Sequence, residues 1–144
     1  SNYWRPNDWL SIDGEMALTH ARFRDQGSAD EIPNSIPVMF SGGISLGRQE
    51  GYFGSLRVRS FLGRPLEETG EIEGRDVLTV NAQVGYRTQD WEVALQCLNL
   101  LDRDDNDIEY YYSSQLSGEV SPVDDIHNHP AEPRMIRMRV SYFF

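Results

Sequence analysis

Apolar and polar residues alternate along most of this chain, and the alternation has a period of two. In "VLTVNAQVGYR", Leu78, Val80, Ala82, Val84 and Tyr86 fall on one side, against Thr79, Asn81, Gln83, Gly85 and Arg87. A period of two separates two faces of an extended strand, whereas a helix needs apolar residues three and four apart. The same reading holds for "YFGSLRVRSFL", where Leu56 and Val58 oppose Arg57 and Arg59, and for "WEVALQCLNL", where Trp91, Val93, Leu95 and Cys97 share a side. "VMFSGGISLG" sets Val38, Phe40, Ile44 and Leu46 against Met39, Ser41, Gly43 and Ser45. The terminal "MIRMRVSYFF" sets Ile136, Met138, Val140, Tyr142 and Phe144 against Arg137, Arg139, Ser141 and Phe143.

Weaker strand signals cover Tyr3 to Ile12, Glu15 to Arg24 and Ile108 to Leu116. The first two flank Asp13-Gly14, a dipeptide suited to a tight hairpin because both residues tolerate positive φ. No stretch of 12 or more residues keeps a helical period, so the expected fold class is all-β: an antiparallel meander of about eight strands. Short connections are expected at Asp13-Gly14, Arg48 to Gly51 and Thr88 to Asp90. Long polar ones are expected at Asp25 to Ser35, Gly63 to Asp76 and Ser117 to Arg134. Asp102 to Asp107, "DRDDND", reads as a solvated acidic turn; it lacks the glycine and distal glutamate of an EF-hand calcium loop. "SGG" at Ser41 to Gly43 is expected to let a strand bend or twist.

Two architectures share such alternation. A soluble β-sandwich turns its apolar face inward, while a membrane barrel turns it to lipid and keeps the polar face in the lumen. Strands of 9 to 11 residues suit a tilted crossing. Aromatic residues gather near strand ends (Tyr52, Phe53, Tyr86, Trp91, Tyr110 to Tyr112, Tyr142 to Phe144), as interfacial girdles require. Arg57, Arg59, Arg137 and Arg139 on the polar face suit a wet lumen, and these features favour the barrel. No run of about 18 apolar residues is present for a transmembrane helix.

Composition narrows the function classes. At 144 residues with 23 acidic and 13 basic residues, the chain is one domain at most, and its net charge of -10 disfavours a nucleic-acid partner. The single Cys97 excludes an internal disulfide framework and a cysteine-based metal cluster; it reads as a small buried or lipid-facing side chain. Ser1 and Asn2 read as a cloning remnant, and the chain as a piece of a longer protein. None of the serines lies in a Gly-x-Ser-x-Gly context and the paired carboxylates fall in loops, so no enzyme activity and no cofactor are expected. His127 and His129 in "DIHNHPAEPR", with Asp124, Asp125 and Glu132, carry ligand types for a metal. Pro130 and Pro133 favour a rigid loop over a metal site there, and His20 is expected in the wall or lumen.

From "VNAQVGYR" (Val80 to Arg87) onward, through "LNLLDRD" (Leu98 to Asp104), "DIEYYYSSQLSGE" (Asp107 to Glu119), "DIHNHPAEPR" (Asp125 to Arg134) and the aromatic-terminated last strand, the chain resembles the C-terminal part of TonB-dependent outer-membrane receptors. "NLLD" at Asn99 to Asp102 is similar to the Asn-Leu-Phe-Asp stretch of those receptors, with Leu101 in place of the Phe. Phe144 with Tyr142, Val140 and Met138 before it resembles the sorting signal read by the barrel-assembly machinery. The resemblance covers roughly the last 70 residues well and the first 75 loosely. It implies a bacterial outer-membrane parent whose N-terminal plug sits in a barrel of about 22 strands, of which residues 1–144 supply the last eight. Outer-membrane lipid, TonB acting through the absent N-terminal part, and a small-molecule ligand would be its partners.

The parent would take up a scarce nutrient such as a siderophore or other metal chelate. On that view His127, His129, Glu132 and Arg134, in the last long loop, are the expected ligand-touching positions. Ser117 to Arg134 would then be extracellular and Asp102 to Asp107 periplasmic, which also puts the long Asp25 to Ser35 and Gly63 to Asp76 connections on the periplasmic side. As an isolated piece, the chain is expected to form either a closed small barrel or a curved open sheet. The alternatives are a soluble acidic β-sandwich or small-barrel binding module and, more remotely, an eight-strand outer-membrane barrel enzyme.

Overall fold

A computed structural model of the chain describes residues 2–24, 27 and 29–144. Among the described residues it is all-β, with nine strands: β1 (Asn2–Asn7), β2 (Leu10–Leu18), β3 (Val38–Gly47), β4 (Gly51–Leu62), β5 (Val77–Arg87), β6 (Trp91–Leu98), β7 (Asn106–Ser114), β8 (Val123–Pro130) and β9 (Met135–Tyr142). Seven form one antiparallel sheet in the order β1-β2-β3-β4-β5-β6-β9, and β7 and β8 form a separate two-stranded hairpin. The sheet is open, with β1 and β9 as its two edges.

Three sequence expectations are corrected. Asp13-Gly14 is not a hairpin turn: both residues lie inside β2, paired with Gly43 and Gly42 of β3. The chain reverses at Asn7 to Leu10 instead, where the Asn7 side-chain oxygen accepts hydrogen bonds from the backbone N–H of Trp9 (3.2 Å) and Leu10 (2.9 Å). An Asn side chain that imitates a backbone turn in this way removes the need for a glycine there. The expected Glu15 to Arg24 strand ends at Leu18, leaving His20 exposed in the following connection and outside the sheet. Finally, Ser117 to Arg134 is not one loop, because it contains β8 and with it His127 and His129. Of the expected loop Asp25 to Ser35, Asp25, Gln26 and Ser28 lie outside the described residues, as does Ser1 of the expected cloning remnant.

Register converts the alternation into faces, because residues directly opposite each other in an antiparallel pair point the same way. Trp4, Ile12, Ile44, Leu56, Ala82, Cys97 and Ile136 form one row across all seven strands, without a polar member. The neighbouring row is Leu10, Leu46, Gly54, Val84, Leu95 and Met138. Nothing among the described residues covers this face: Met16 is 63% exposed, Ile136 67% and Met138 72%.

The opposite face is polar. Ser11, Ser45, Ser55, Gln83, Gln96 and Arg137 make one row, in which the Gln96 amide donates to Gln83 Oε1 at 3.0 Å. Arg57 of the next row pairs with Asp13 at 2.8 Å. Glu92 is only 4% exposed and bridges Arg87 on β5 (2.5 Å) and Arg139 on β9 (2.7 Å). Phe53 also lies on this side: a Cβ on Gly85 would run into its ring, so glycine is what lets the aromatic lie flat over β5. The Arg87 guanidinium sits 5.0 Å from that ring. Phe53 is therefore not part of an aromatic girdle, whereas Tyr52, Tyr86 and Trp91 are on the apolar face, packed ring against ring (4.9 and 5.8 Å between centroids).

Connection lengths sort by end. Asn7 to Leu10, Gly47 to Gly51 and Arg87 to Trp91 close the sheet at one end, where Tyr142 also finishes β9. The connections 19–37, 63–76 and 99–134 all leave from the other. Asp102 to Asp107 belongs to that second end and not to the turn end, because β7 and β8 are an excursion between β6 and β9 and do not join the seven-stranded sheet.

Candidate functional site

The three long connections interlock rather than standing apart as loops. In the first, Arg22 pairs with Asp30 (3.3 Å) and Glu31 (3.0 Å). Glu31 N–H donates to Glu68 O (3.0 Å) and Asn34 N–H to Pro65 O (2.7 Å), which ties the first connection to the second. Glu109 of β7 then ties the second to the third. Its carboxylate, 2% exposed, receives Arg64 at 2.9 Å, the Arg75 backbone N–H at 2.8 Å and the Asn106 amide at 2.6 Å. Gly74 packs against it so closely that an added Cβ would lie 2.5 Å from Glu109 Oε2.

Burial works to raise the Glu109 pKa, but the hydrogen bonds from Asn106, Arg75 and Arg64, with the Arg64 charge, outweigh it and hold the carboxyl below its ordinary value. Asp105 is held down in the same way: burial opposes ionisation, and Arg103 together with the Leu78 backbone N–H (2.9 Å) overcomes it.

The "NLLD" segment forms the foot of this assembly. Asn99 and Asp102 both have positive φ (48° and 53°), and Asp102 N–H donates to Asn99 O at 2.9 Å to close a tight turn. Asn tolerates that conformation, as does Asp, through short polar side chains. The buried Asn99 amide then donates to Arg103 O (2.9 Å) and Glu132 O (3.2 Å), fastening both ends of the excursion to the sheet.

The four expected ligand positions are not brought together as one site. His127 and His129 project from the same side of β8, opposite Tyr110 and Ile108 of β7, and His127 stacks on Tyr112 with ring centroids 4.0 Å apart. Arg134 is engaged by Asp102 at 3.0 Å. Glu132 lines a cavity of about 230 Å³ where the polar face of the sheet meets the third connection, with Arg59, Asn81, Arg103 and Asp105. A second cavity, about 480 Å³, lies between the connections and is lined by Pro33, Asn34, Leu66, Glu68 and Tyr110 to Tyr112. The three tyrosines are thus part of the connection end and not of an interfacial girdle.

Arg103 and Asn81 were missed as cavity residues by sequence reasoning; Arg103 directly follows "NLLD", whereas Asn81 lies eighteen residues before Asn99 and reaches it only through the fold, by accepting the Asn99 N–H at 3.0 Å. The chemistry of the smaller cavity, the guanidiniums of Arg59 and Arg103 beside the carboxylates of Asp105, Asp107 and Glu132 and the amides of Asn81 and Asn99, is that of hydrogen-bonded capture of a polar molecule. Among the described residues no group of three or more His, Cys, Asp or Glu could hold a metal ion.

Charge is sorted as sharply as length. The connections 19–37, 63–76 and 99–134 hold seventeen of the 23 acidic residues and six of the 13 arginines. The strands and short turns hold the remainder, six acids against seven arginines. A scan against protein-family models and searches of curated proteins and of solved structures found no match to this chain.

Proposed function

We propose that this chain is a wall segment of a TonB-dependent receptor in the bacterial outer membrane, part of a parent that takes up a scarce nutrient such as a siderophore or other metal chelate. The observation that carries this reading is the bare apolar face: cross-strand rows of apolar side chains, seven strands wide, with nothing among the described residues packed on them. In water such a face would be covered, since soluble monomers seldom expose apolar patches beyond a few hundred Å². In lipid it is the solvated side, with the Ser, Gln and Arg rows turned to a wet lumen.

Segregation of connection lengths supports the same reading. Short turns at one end and long connections at the other match the periplasmic and extracellular ends of such barrels. On this reading all three long connections are extracellular, so no long periplasmic connection is needed. Tyr52, Tyr86, Trp91 and Tyr142 lie at the turn end, at the depth of one membrane interface. Met138, Val140, Tyr142 and Phe144 are open to the barrel-assembly machinery, and the two sheet edges to the rest of the parent's wall. The segment contributes wall and outer connections, with Glu132 in the cavity wall and His127 and His129 on the hairpin. Contact with TonB belongs to the parent's N-terminal part, and the segment itself performs no catalysis.

Thiol labelling of Cys97, with and without detergent, tests the reading. Cys97 sits in the middle apolar row, so it should react in aqueous buffer and become protected as micelles or bilayer bind. A monomer that needs no detergent and keeps Cys97 unreactive would mean that the apolar face is a core, and the protein a soluble β module.

A further inference from the structure

Among the described residues, no other strand packs on the β7–β8 hairpin, and one of its faces is half-exposed. Ile108, Tyr110 and Tyr112 lie on it from β7, opposite His129, His127 and Asp125 from β8. Ile108, Tyr110 and Tyr112 are 44%, 52% and 51% exposed. The ring stack between Tyr112 and His127 holds one aromatic in place before anything binds, which lowers the ordering cost of using it. Rigid, half-exposed tyrosines on a two-stranded platform are the residue type that anchors protein contacts.

The charge around this face chooses its partner. Between Arg103 and Arg134 the chain carries eight carboxylates and not one Lys or Arg. Asp105 and Glu109 are buried against Arg103 and Arg64, but Asp107, Asp124 and Asp125 are exposed and form no ion pair among the described residues. We infer that the hairpin face docks a basic peptide segment, whose Arg or Lys side chains lie over Tyr110 and Tyr112 and meet Asp125, the carboxylate that shares this face. Aromatic faces attract guanidinium and ammonium groups, and the carboxylates steer them in while repelling anionic partners. The inference stands on the hairpin's own surface, and does not depend on what covers the apolar face of the sheet.

The test titrates the whole chain, kept monomeric in buffer or in micelles of an uncharged detergent, with a fluorescent Arg-Gly repeat peptide and with a Glu-Gly peptide of equal length. The Arg-Gly peptide should bind and the Glu-Gly peptide should not. Tyr110→Ala with Tyr112→Ala should weaken binding about tenfold, and Tyr110→Phe with Tyr112→Phe should keep it, because the rings remain. Asp125→Asn should lower affinity and flatten its dependence on salt. Two results would overturn the inference. One is no binding of the Arg-Gly peptide. The other is equal binding by the double-alanine protein with its hairpin intact by amide exchange across Asn106–Ser114, which would leave only a diffuse acidic field.

Discussion

Glu109 shows how much of the connection end depends on a single side chain. Its carboxylate is the meeting point of Arg64, the Arg75 backbone and Asn106, and removing it would leave the Arg64 guanidinium buried without its counter-charge. Breaking one partner of a buried ion pair costs about 3–5 kcal/mol. Glu109→Ala should therefore release the hairpin from the 63–76 connection, read as faster amide exchange across Asn106–Ser114 while β3 to β5 stay protected. The pH dependence follows from the same contacts. Because the Glu109 and Asp105 carboxyls are held below their ordinary values in the folded state, they stabilise it fully above the ordinary carboxylate range. That contribution is lost as pH falls through their lowered values. Near-ultraviolet circular dichroism of the tyrosines should accordingly stay constant from neutral pH to about 5, then decline on acidification, and the pH-dependent part of the loss should be smaller in Arg64→Met, where Glu109 lacks the charge that helps to lower its pKa.

Legibility from sequence differed from strand to strand, for physical reasons. Strands β3 to β6 and β9 were readable because each has one face that demands apolar residues and one that demands polar ones, so the period of two survives in the letters. The hairpin was harder. β7 carries three consecutive tyrosines, and "VDDIHNHP" in β8 is polar on both sides, because neither strand lies over a core. Their pairing comes from backbone hydrogen bonds, and their placement from Glu109 of β7, whose partner Arg64 is brought in from far along the chain. The turn at Asn7 was hidden by Asp13-Gly14, a stronger local signal that the pairing of β2 with β3 overrides. Of the four candidate site residues, the sequence indicated the region and not the grouping, since whether Arg134 is free depends on Asp102, thirty-two residues away.

If the hairpin is an inserted element and not a wall strand, it should be removable. Replacing residues 104–133 by a short Gly-Asn linker should leave β6 and β9 in register, with Cys97 still opposite Ile136, as reported by a Cys97–Ile136→Cys crosslink.

For the whole molecule, the decisive property is the inversion of the sheet, apolar where it is open and polar where its side chains crowd together. Leu56 and Ser55 are neighbours in β4 on opposite faces, near the middle of the sheet. On the proposed outer-membrane reading, Leu56→Arg in a bilayer should cost about 2–4 kcal/mol, while Ser55→Arg on the opposite, polar face should be tolerated. Urea titration of the protein refolded into lipid vesicles measures both, and equal costs would argue against lipid on the Leu56 side. The order in which strands pair also has a kinetic side. Between Leu98 and Met135 lie 36 residues, against three between Arg87 and Trp91. Closing the longer loop costs about 2 kcal/mol more, if chain entropy grows as the logarithm of length. A β7–β8 hairpin that zips first draws Asn106 and Pro130 together and shortens the effective gap that β9 must cross. The excursion would then act as a folding spacer, bringing the final strand to its edge sooner than a flexible loop of equal length.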